Sequence, residues 1–227
     1  MGKVLAVIRM FRPFVAFLAS AFVLSGCGNQ PGGDALTQAL TGMAGELVGR
    51  RGEAEPAQPL TRAMIEASGQ PMMLAIAPSR GTQALLVPVA RNRGVDVWAT
   101  GDSATLSLRD GIFIASRGLG NDLMSAAAPS GAQITAGAGN TSRSYFTLDG
   151  EDRTQRADFA CTLSRHAAAP IEIVERQFEV HEVKETCIGA ENGFVNRYWI
   201  DRRGRIVQSL QWVGTDVGFL QLADLSN

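Results

Sequence analysis

The sequence predicts a mainly β protein, a single β-barrel or sandwich-like domain with one or two N-terminal helices. Three observations predict it. From about residue 60 the apolar residues fall in short runs, Gly, Pro, Asn and Asp punctuate those runs, and one stretch reads as a clear hairpin. Many short strands with regular turns are the pattern of barrels and sandwiches. The 227 residues, 45% of them hydrophobic, are enough for one ordinary domain or two small ones and exclude a disordered or collagen-like chain.

Within this β-rich domain, residues 60–227, Thr61 to Ser68 reads as a short helix stopped by Gly69 and Pro71. Met72 to Ala77 and Ala84 to Val89 are apolar enough for strands, and Pro88 marks an edge or a bulge in the second. The hairpin runs from Ala104 to Ser116. Leu106 and Leu108 alternate with polar neighbours, Arg109-Asp110-Gly111 turns, and Ile112-Phe113-Ile114 returns. A second turn is Asp201-Arg202-Arg203-Gly204, between Tyr198-Trp199-Ile200 and Ile206-Val207. A short helix is expected between Leu119 and Ala128, and a loop from Pro129 to Asn140. Further strands are expected near Arg143 to Leu148, Asp158 to Leu163, Ile171 to Val183 and Gln208 to Val213. Glu172, Glu175, Glu182 and Glu185 alternate with Ile171, Ile173, Val174 and Val183, as the solvent face of a long strand would.

The N-terminus has a different texture. Lys3, Arg9 and Arg12 precede an apolar run from Phe14 to Leu24, which small residues at Ser25 and Gly26 close. This is an export signal, residues 1–26. Its apolar run falls short of the roughly 20 residues a spanning helix needs. Leu24-Ser25-Gly26-Cys27 resembles the lipobox of bacterial lipoproteins, and that resemblance makes Cys27 the lipidated first mature residue. Gly28 rather than Asp follows it, which by the same resemblance points to the outer membrane, periplasmic face. Residues 27–33 then hold the lipidated Cys and a flexible GNQPGG tether. Residues 34–59 hold a helix and a linker. Asp34 can cap the helix, Leu36, Leu40, Met43 and Leu47 share one face, and Arg50 to Pro59 is polar. That apolar face packs on its own domain, on a partner helix or on a membrane surface.

Charge narrows the partners. With 21 Lys+Arg against 22 Asp+Glu the chain carries −1, and without the three basic residues of the first 26 it carries 18 against 22, or −4. Such a chain has no long-range field to hold a polyanion, so nucleic acid is not an expected partner. Lys184 is the only Lys after Lys3, a bias read as genomic composition before any arginine-specific function. Cys161 and Cys187 remain once Cys27 is spent on lipid. An even pair in an oxidising compartment predicts a disulfide, stabilising by about 3 kcal/mol in the chain-entropy picture. Cys161, His166, His181 and Cys187 lack paired zinc-ligand spacing, so no metal is expected.

The stretch Val97 to Met124, VWATGDSATLSLRDGIFIASRGLGNDLM, carries a family resemblance. It is similar to the YjbF family of lipoproteins, the GfcB-type group 4 capsule lipoproteins. There a Trp precedes a strand ending in L-x-L-R-x-G, followed by an apolar strand and T-R-G-L-G-x-D-L. Trp98, Leu106, Leu108, Arg109, Gly111, Arg117, Gly118, Leu119, Gly120, Asp122 and Leu123 fit, with Ser116 in place of the Thr. The resemblance implies an outer-membrane lipoprotein encoded with exopolysaccharide or capsule genes, with a mostly β, barrel-like fold. Its implied role is a non-enzymatic accessory of export or assembly. Its partners are then the membrane, through the lipid, and export or assembly proteins, with polysaccharide itself as a further candidate; it supplies neither catalytic residues nor a cofactor.

No nucleophile motif accompanies His166 or His181, and neither Gly118-Leu119-Gly120 nor Gly137-Ala138-Gly139 completes G-x-G-x-x-G. Glycoside cleavage needs only two carboxylates about 5 to 9.5 Å apart, for which Asp102, Asp110, Asp122 and the four glutamates are the candidates. Asp110 is accounted for by its turn, and Asp122 can cap or pair with Arg117. Glycan binding without catalysis asks for aromatic surface beside planar polar groups, and Trp98, Tyr198, Trp199 and Trp212 sit among Arg91, Arg93, Arg117 and Arg197. Strand alternation turns some of these rings inward, and each Trp is read as core before platform. The candidate glycan or partner contacts are therefore Trp98, Arg117, Asp122 and Trp199. Labelled palmitate is expected to enter the wild-type protein and not Cys27→Ser; label retained in that variant would remove the anchor.

Overall fold

Twelve antiparallel strands follow one another in the computed structural model, which describes residues 59–226. The export signal, Cys27, the tether and the 34–59 helix and linker, apart from Pro59, lie outside the described residues. Helix α1 (Arg62–Ser68) comes first. Then come β1 (Met73–Ala77), β2 (Thr82–Asn92), β3 (Val95–Ala99), β4 (Thr105–Arg109), β5 (Ile112–Arg117) and β6 (Leu123–Ala127). Helix α2 (Gly131–Ala136) precedes β7 (Ala138–Leu148), β8 (Thr154–Ile173), β9 (Arg176–Gly189), β10 (Gly193–Asp201), β11 (Ile206–Gly214) and β12 (Gly218–Asp224).

The strand order is β5-β4-β3-β2-β1-β12-β11-β10-β9-β8-β7-β6. Every pair in it is consecutive in sequence except β1 and β12, where Met73 lies opposite Asp224 and Ile76 opposite Gln221. That pairing ties the ends of the domain together and leaves the one seam in mid-chain, where β5 and β6 adjoin without a ladder. The result is a nearly closed barrel. Register shifts at Pro88/Ala90, Ser107/Leu108, Trp199/Ile200 and Arg165/Ala168 supply bulges that bend the wall. The first is the irregularity that Pro88 predicts; it leaves Val89 half exposed.

The wall has an apolar layer on each side. Inside, Leu86, Leu106, Leu108, Phe113, Leu123, Tyr145, Phe159, Phe194 and Leu220 fill the barrel. Outside, α1 lays Ile65 over Met72, Val87, Phe178, Val180 and Val207. Thr61 caps this helix by accepting from the Met64 backbone, and Gly69 ends it at φ 63°. Ile134 of α2 completes a third cluster with Ile112, Leu163, Val183, Tyr198 and Ile200.

The two hairpin turns read from the sequence both form, between β4 and β5 and between β10 and β11. Three expectations are corrected. Leu119 to Ala128 is not a helix: Asp122 accepts from the backbones of Gly118 and Leu119 at 2.7 and 3.0 Å, which fixes a tight turn, and β6 follows. Pro129 to Asn140 is not all loop, because Ser130 and Gln133 form a reciprocal capping box that starts α2. Ile171 to Val183 is not one strand. Val174 and Glu175 both take positive φ, 43° and 61°, and reverse the chain between β8 and β9 without the Gly or Asn that usually announces such a turn.

That hairpin sets Cys161 directly opposite Cys187 with Cα atoms 4.1 Å apart, and the two form the expected disulfide. Replacing both with Ala in the full chain is expected to cost about 3 kcal/mol. A lower urea midpoint, with a slope raised by the more expanded unfolded chain, would report it; an unchanged midpoint would show that the ladder alone holds the hairpin.

Candidate functional site

The residues of the recognised block turn out to close the barrel. Leu123 N–H donates to Ser116 Oγ at 3.1 Å, and the Ser116 hydroxyl donates to Asp122 Oδ1 at 3.0 Å. Arg117 reaches across to the Leu123 carbonyl at 3.3 Å. Side chains thus do at the β5–β6 seam what ladder bonds do elsewhere. Gly120 takes φ 114°, where a side chain is strained, and a Cβ there would fall 2.5 Å from Asp216 Oδ2 and displace that carboxylate. Asp216 pairs in turn with Arg80 at 2.8 Å, and Arg80 also donates to the Leu119 carbonyl at 2.9 Å. The seam turn is therefore clamped from the β1–β2 side as well.

A second polar cluster lies inside the barrel. Arg143 and Glu185, both with fully buried side chains, pair at 2.9 Å. Arg143 also donates to Tyr198 Oη at 2.8 Å, while Tyr198 Oη–H and Asn196 Nδ2 donate to Glu185 at 3.0 and 2.9 Å. Asn196 Oδ1 accepts from Trp212 N–H, and the Tyr145 hydroxyl donates to the Trp212 carbonyl. Burial works to lower the Arg143 pKa, but Tyr198, Tyr145 and Glu185 outweigh it and the pKa is raised. Burial raises those of Tyr198 and Tyr145, so both phenols stay neutral. Glu185 is thus no part of a solvent face, which corrects the alternation read from the sequence. Its strand continues Val183-Glu185-Cys187 toward the lumen, and its partners are on β7 and β10.

Cys161, Cys187 and Glu185 offer three ligand-type atoms within 4.8 Å of one another. The sulfurs are bonded to each other and the carboxylate is spent on Arg143, Asn196 and Tyr198, so this donor set does not fit a metal.

The other carboxylates considered for catalysis have local partners too. Asp102 accepts from Thr100. Asp110 sits in its turn at φ 52°, Glu172 accepts from Gln177, Glu175 from the Arg62 backbone, and Glu182 pairs with Arg197.

The structure brings Arg117 and Asp122 together at the seam and separates the two tryptophans. Trp98 lies opposite Leu106 and packs on the inner core, partly buried. Trp199 packs on the outer cluster with the Arg197 guanidinium 5.0 Å from its ring centroid. Trp212 joins Tyr145, Phe159 and Phe194 in an aromatic cluster with centroids 4.7 to 6.0 Å apart.

Sequence reasoning missed the feature that most resembles a binding site. A cleft of about 310 Å³ lies between the start of β9 and the β10–β11 turn, lined by Arg176, Gln177, Phe178, Glu179 and residues 201, 202, 203 and 205. Arg176 lies over the Phe178 ring at 5.1 Å, and Arg205 pairs with Asp201 at 2.9 Å. Burial works to raise the Asp201 pKa, but hydrogen bonds from the Arg205 backbone, the Arg205 side chain and the Arg203 backbone outweigh it and hold it low. Next to the cleft, sharing Glu179 and Arg202, is a recess of about 90 Å³ that also holds His181. Burial lowers the His181 pKa, helped by Arg165, and its Nε2 is buried without a hydrogen-bond partner. The only sequence signal was Arg202-Arg203 in a predicted turn.

Among solved structures the fold is similar to that of a lipoprotein. The lipoprotein YmcC from Escherichia coli K12 superposes with a TM-score of 0.72 at 16% identity, covering 88% of this chain and 98% of that one. An exported protein with a YmcC-like fold from Bacteroides fragilis gives a TM-score of 0.35 at 10% identity, covering 69% of this chain and 93% of that one. No curated protein matches. The model of the group 4 capsule polysaccharide lipoprotein family, GfcB and YjbF, matches residues 33–225, and the chain belongs to that family. Membership links it to capsule polysaccharide processes.

Glu185→Leu strands Arg143 in the interior and is expected to cost about 3 to 5 kcal/mol, whereas Arg143→Met/Glu185→Leu recovers most of it. Urea midpoints of the full chain check this. A single variant as stable as wild type would mean that the pair holds nothing.

Proposed function

We propose that the chain is a non-enzymatic accessory of exopolysaccharide or capsule export or assembly. It is anchored through Cys27 to the periplasmic face of the outer membrane. The match to the capsule polysaccharide lipoprotein family carries this reading. In it the 27–33 tether and the 34–59 helix and linker hold the β-rich domain, residues 60–227, off the membrane and present it to export or assembly proteins. The packed barrel interior supports a role for surfaces over one for a conduit. The structural partners of Asp102, Asp122 and the glutamates support binding over bond cleavage.

A second reading, a periplasmic polysaccharide-binding module, is favoured by one observation, the arginine-lined cleft. Both readings need no cofactor, and Trp98, Arg117, Asp122 and Trp199 remain candidate contacts in each.

Deleting the gene is expected to lower surface and secreted polysaccharide, and wild type but not Cys27→Ser is expected to restore it. Unchanged polysaccharide, in cells that express its synthesis genes, would overturn the accessory role.

A further inference from the structure

Four of the residues lining the cleft are arginines and two are acidic, with Asp224 a third carboxylate close to Arg176 and Arg205, so the cleft keeps an excess of positive charge in a chain that carries −1 overall. Asp201 is already committed to its own turn. It accepts from the Arg203 and Arg205 backbones at 2.8 and 2.9 Å and from Arg205 Nε at 2.9 Å. Two further backbone bonds, Asp201 N–H to the Arg205 carbonyl and Gly204 N–H to the Asp201 carbonyl, close the turn at 2.9 and 3.0 Å. The turn is therefore a stiff platform, and it presents Arg202 and Arg203 exposed at its tip. Across the cleft, the Arg176 guanidinium lies over the Phe178 ring at 5.1 Å from its centroid.

We infer that this cleft binds a carboxylate-bearing sugar residue of an acidic polysaccharide, an inference that rests on the polysaccharide reading above. Planar guanidinium groups held on a rigid frame match a carboxylate in paired, parallel hydrogen bonds, and little entropy is lost per bond formed. The volume is at the small end of ligand sites, about 300 to 1,000 Å³, which suits one or two sugar residues rather than a long strand.

A glycan is favoured over a lipid surface because the one aromatic side chain at the cleft, Phe178, is only 9% exposed and faces the core under α1. A membrane-binding patch needs apolar side chains free to enter the bilayer.

Calorimetric titration of the full chain in detergent tests this with four probes: trigalacturonate, neutral maltotriose, inorganic phosphate and glycerol 3-phosphate. Trigalacturonate is expected to bind at least tenfold more tightly than each of the others and to weaken with added salt. Arg202→Gln/Arg203→Gln is expected to lose at least tenfold, while removing the same charge at Arg91 and Arg153 changes binding less than twofold. Equal binding of maltotriose, or full binding by Arg202→Gln/Arg203→Gln, overturns the inference. Glycerol 3-phosphate or phosphate binding as tightly as trigalacturonate assigns the cleft to a headgroup or to free phosphate and overturns it equally.

The two readings fail separately. If deletion lowers polysaccharide, Arg202→Gln/Arg203→Gln restores it in full and trigalacturonate does not bind, only the cleft's ligand is lost. If deletion changes nothing, the accessory role falls whatever the titration gives.

Discussion

A twelve-stranded barrel is wide, and its interior has to be filled before it can be stable. The Arg143–Glu185 pair is the interaction on which that filling depends. Arg143 starts on β7 and Glu185 sits on β9, so the pair bridges over β8, and Tyr198 and Asn196 extend the bridge to β10. Asn196 and Tyr145 then satisfy the backbone of Trp212, where the β10–β11 ladder has ended at Arg197 and Leu210. Buried charge is costly unless every partner is present. Here the partners of the two charges come from three strands, and the Trp212 backbone ties in a fourth, so the buried charges are satisfied only when these strands are in register. The same side chains hold Tyr145, Phe159, Phe194 and Trp212 in their aromatic cluster.

Closure is solved differently at the two junctions. β1 and β12 close the domain with ordinary ladder bonds, while β5 and β6 are stapled by Ser116, Arg117 and Asp122. This gives a physical reason for the recognised block. Gly118 and Gly120 permit the turn, Asp122 caps it, and Leu123 enters the core. A serine at position 116 supplies the hydroxyl that the family's threonine would, since the bonds need only that oxygen. These residues are accounted for by the fold.

Legibility in the sequence followed the locality of the cause. The β class, the hairpin around Asp110-Gly111, the turn at residues 201 to 204 and the Pro88 irregularity are written in adjacent residues, and each formed. The turn at Val174-Glu175 carries no local signal, because tertiary packing of the β8–β9 hairpin overrides a poor turn sequence. Glu185 was unreadable for a related reason. A glutamate in an alternating strand looks like solvent face until its arginine arrives from 42 residues away. The cleft depends on two segments about 25 residues apart meeting at one rim, and a charge count over the chain averages it away.

These assignments shift where recognition must occur. The barrel interior is occupied and presents no free chemistry to a partner, while Ser116, Arg117 and Asp122 close the seam, so the recognised block presents only what closure leaves over. What the fold leaves presented is the rim, where short turns carry side chains that packing does not claim. Of those turns, the one at residues 201 to 204 is braced by Asp201 from within and faces a guanidinium braced by Phe178 from across the cleft. The 149–153 turn is braced by Asp149 in the same way, so what sets the 201–204 turn apart is the cleft and the guanidinium it faces, and rigid positioning there lowers the entropy lost on binding. Arg176 and Arg205 contribute to the fold as well, but Arg202 and Arg203 have no side-chain hydrogen bond or ion pair among the described residues. Their place at the tip of a stiff turn leaves two guanidinium groups for the acidic sugar inferred above.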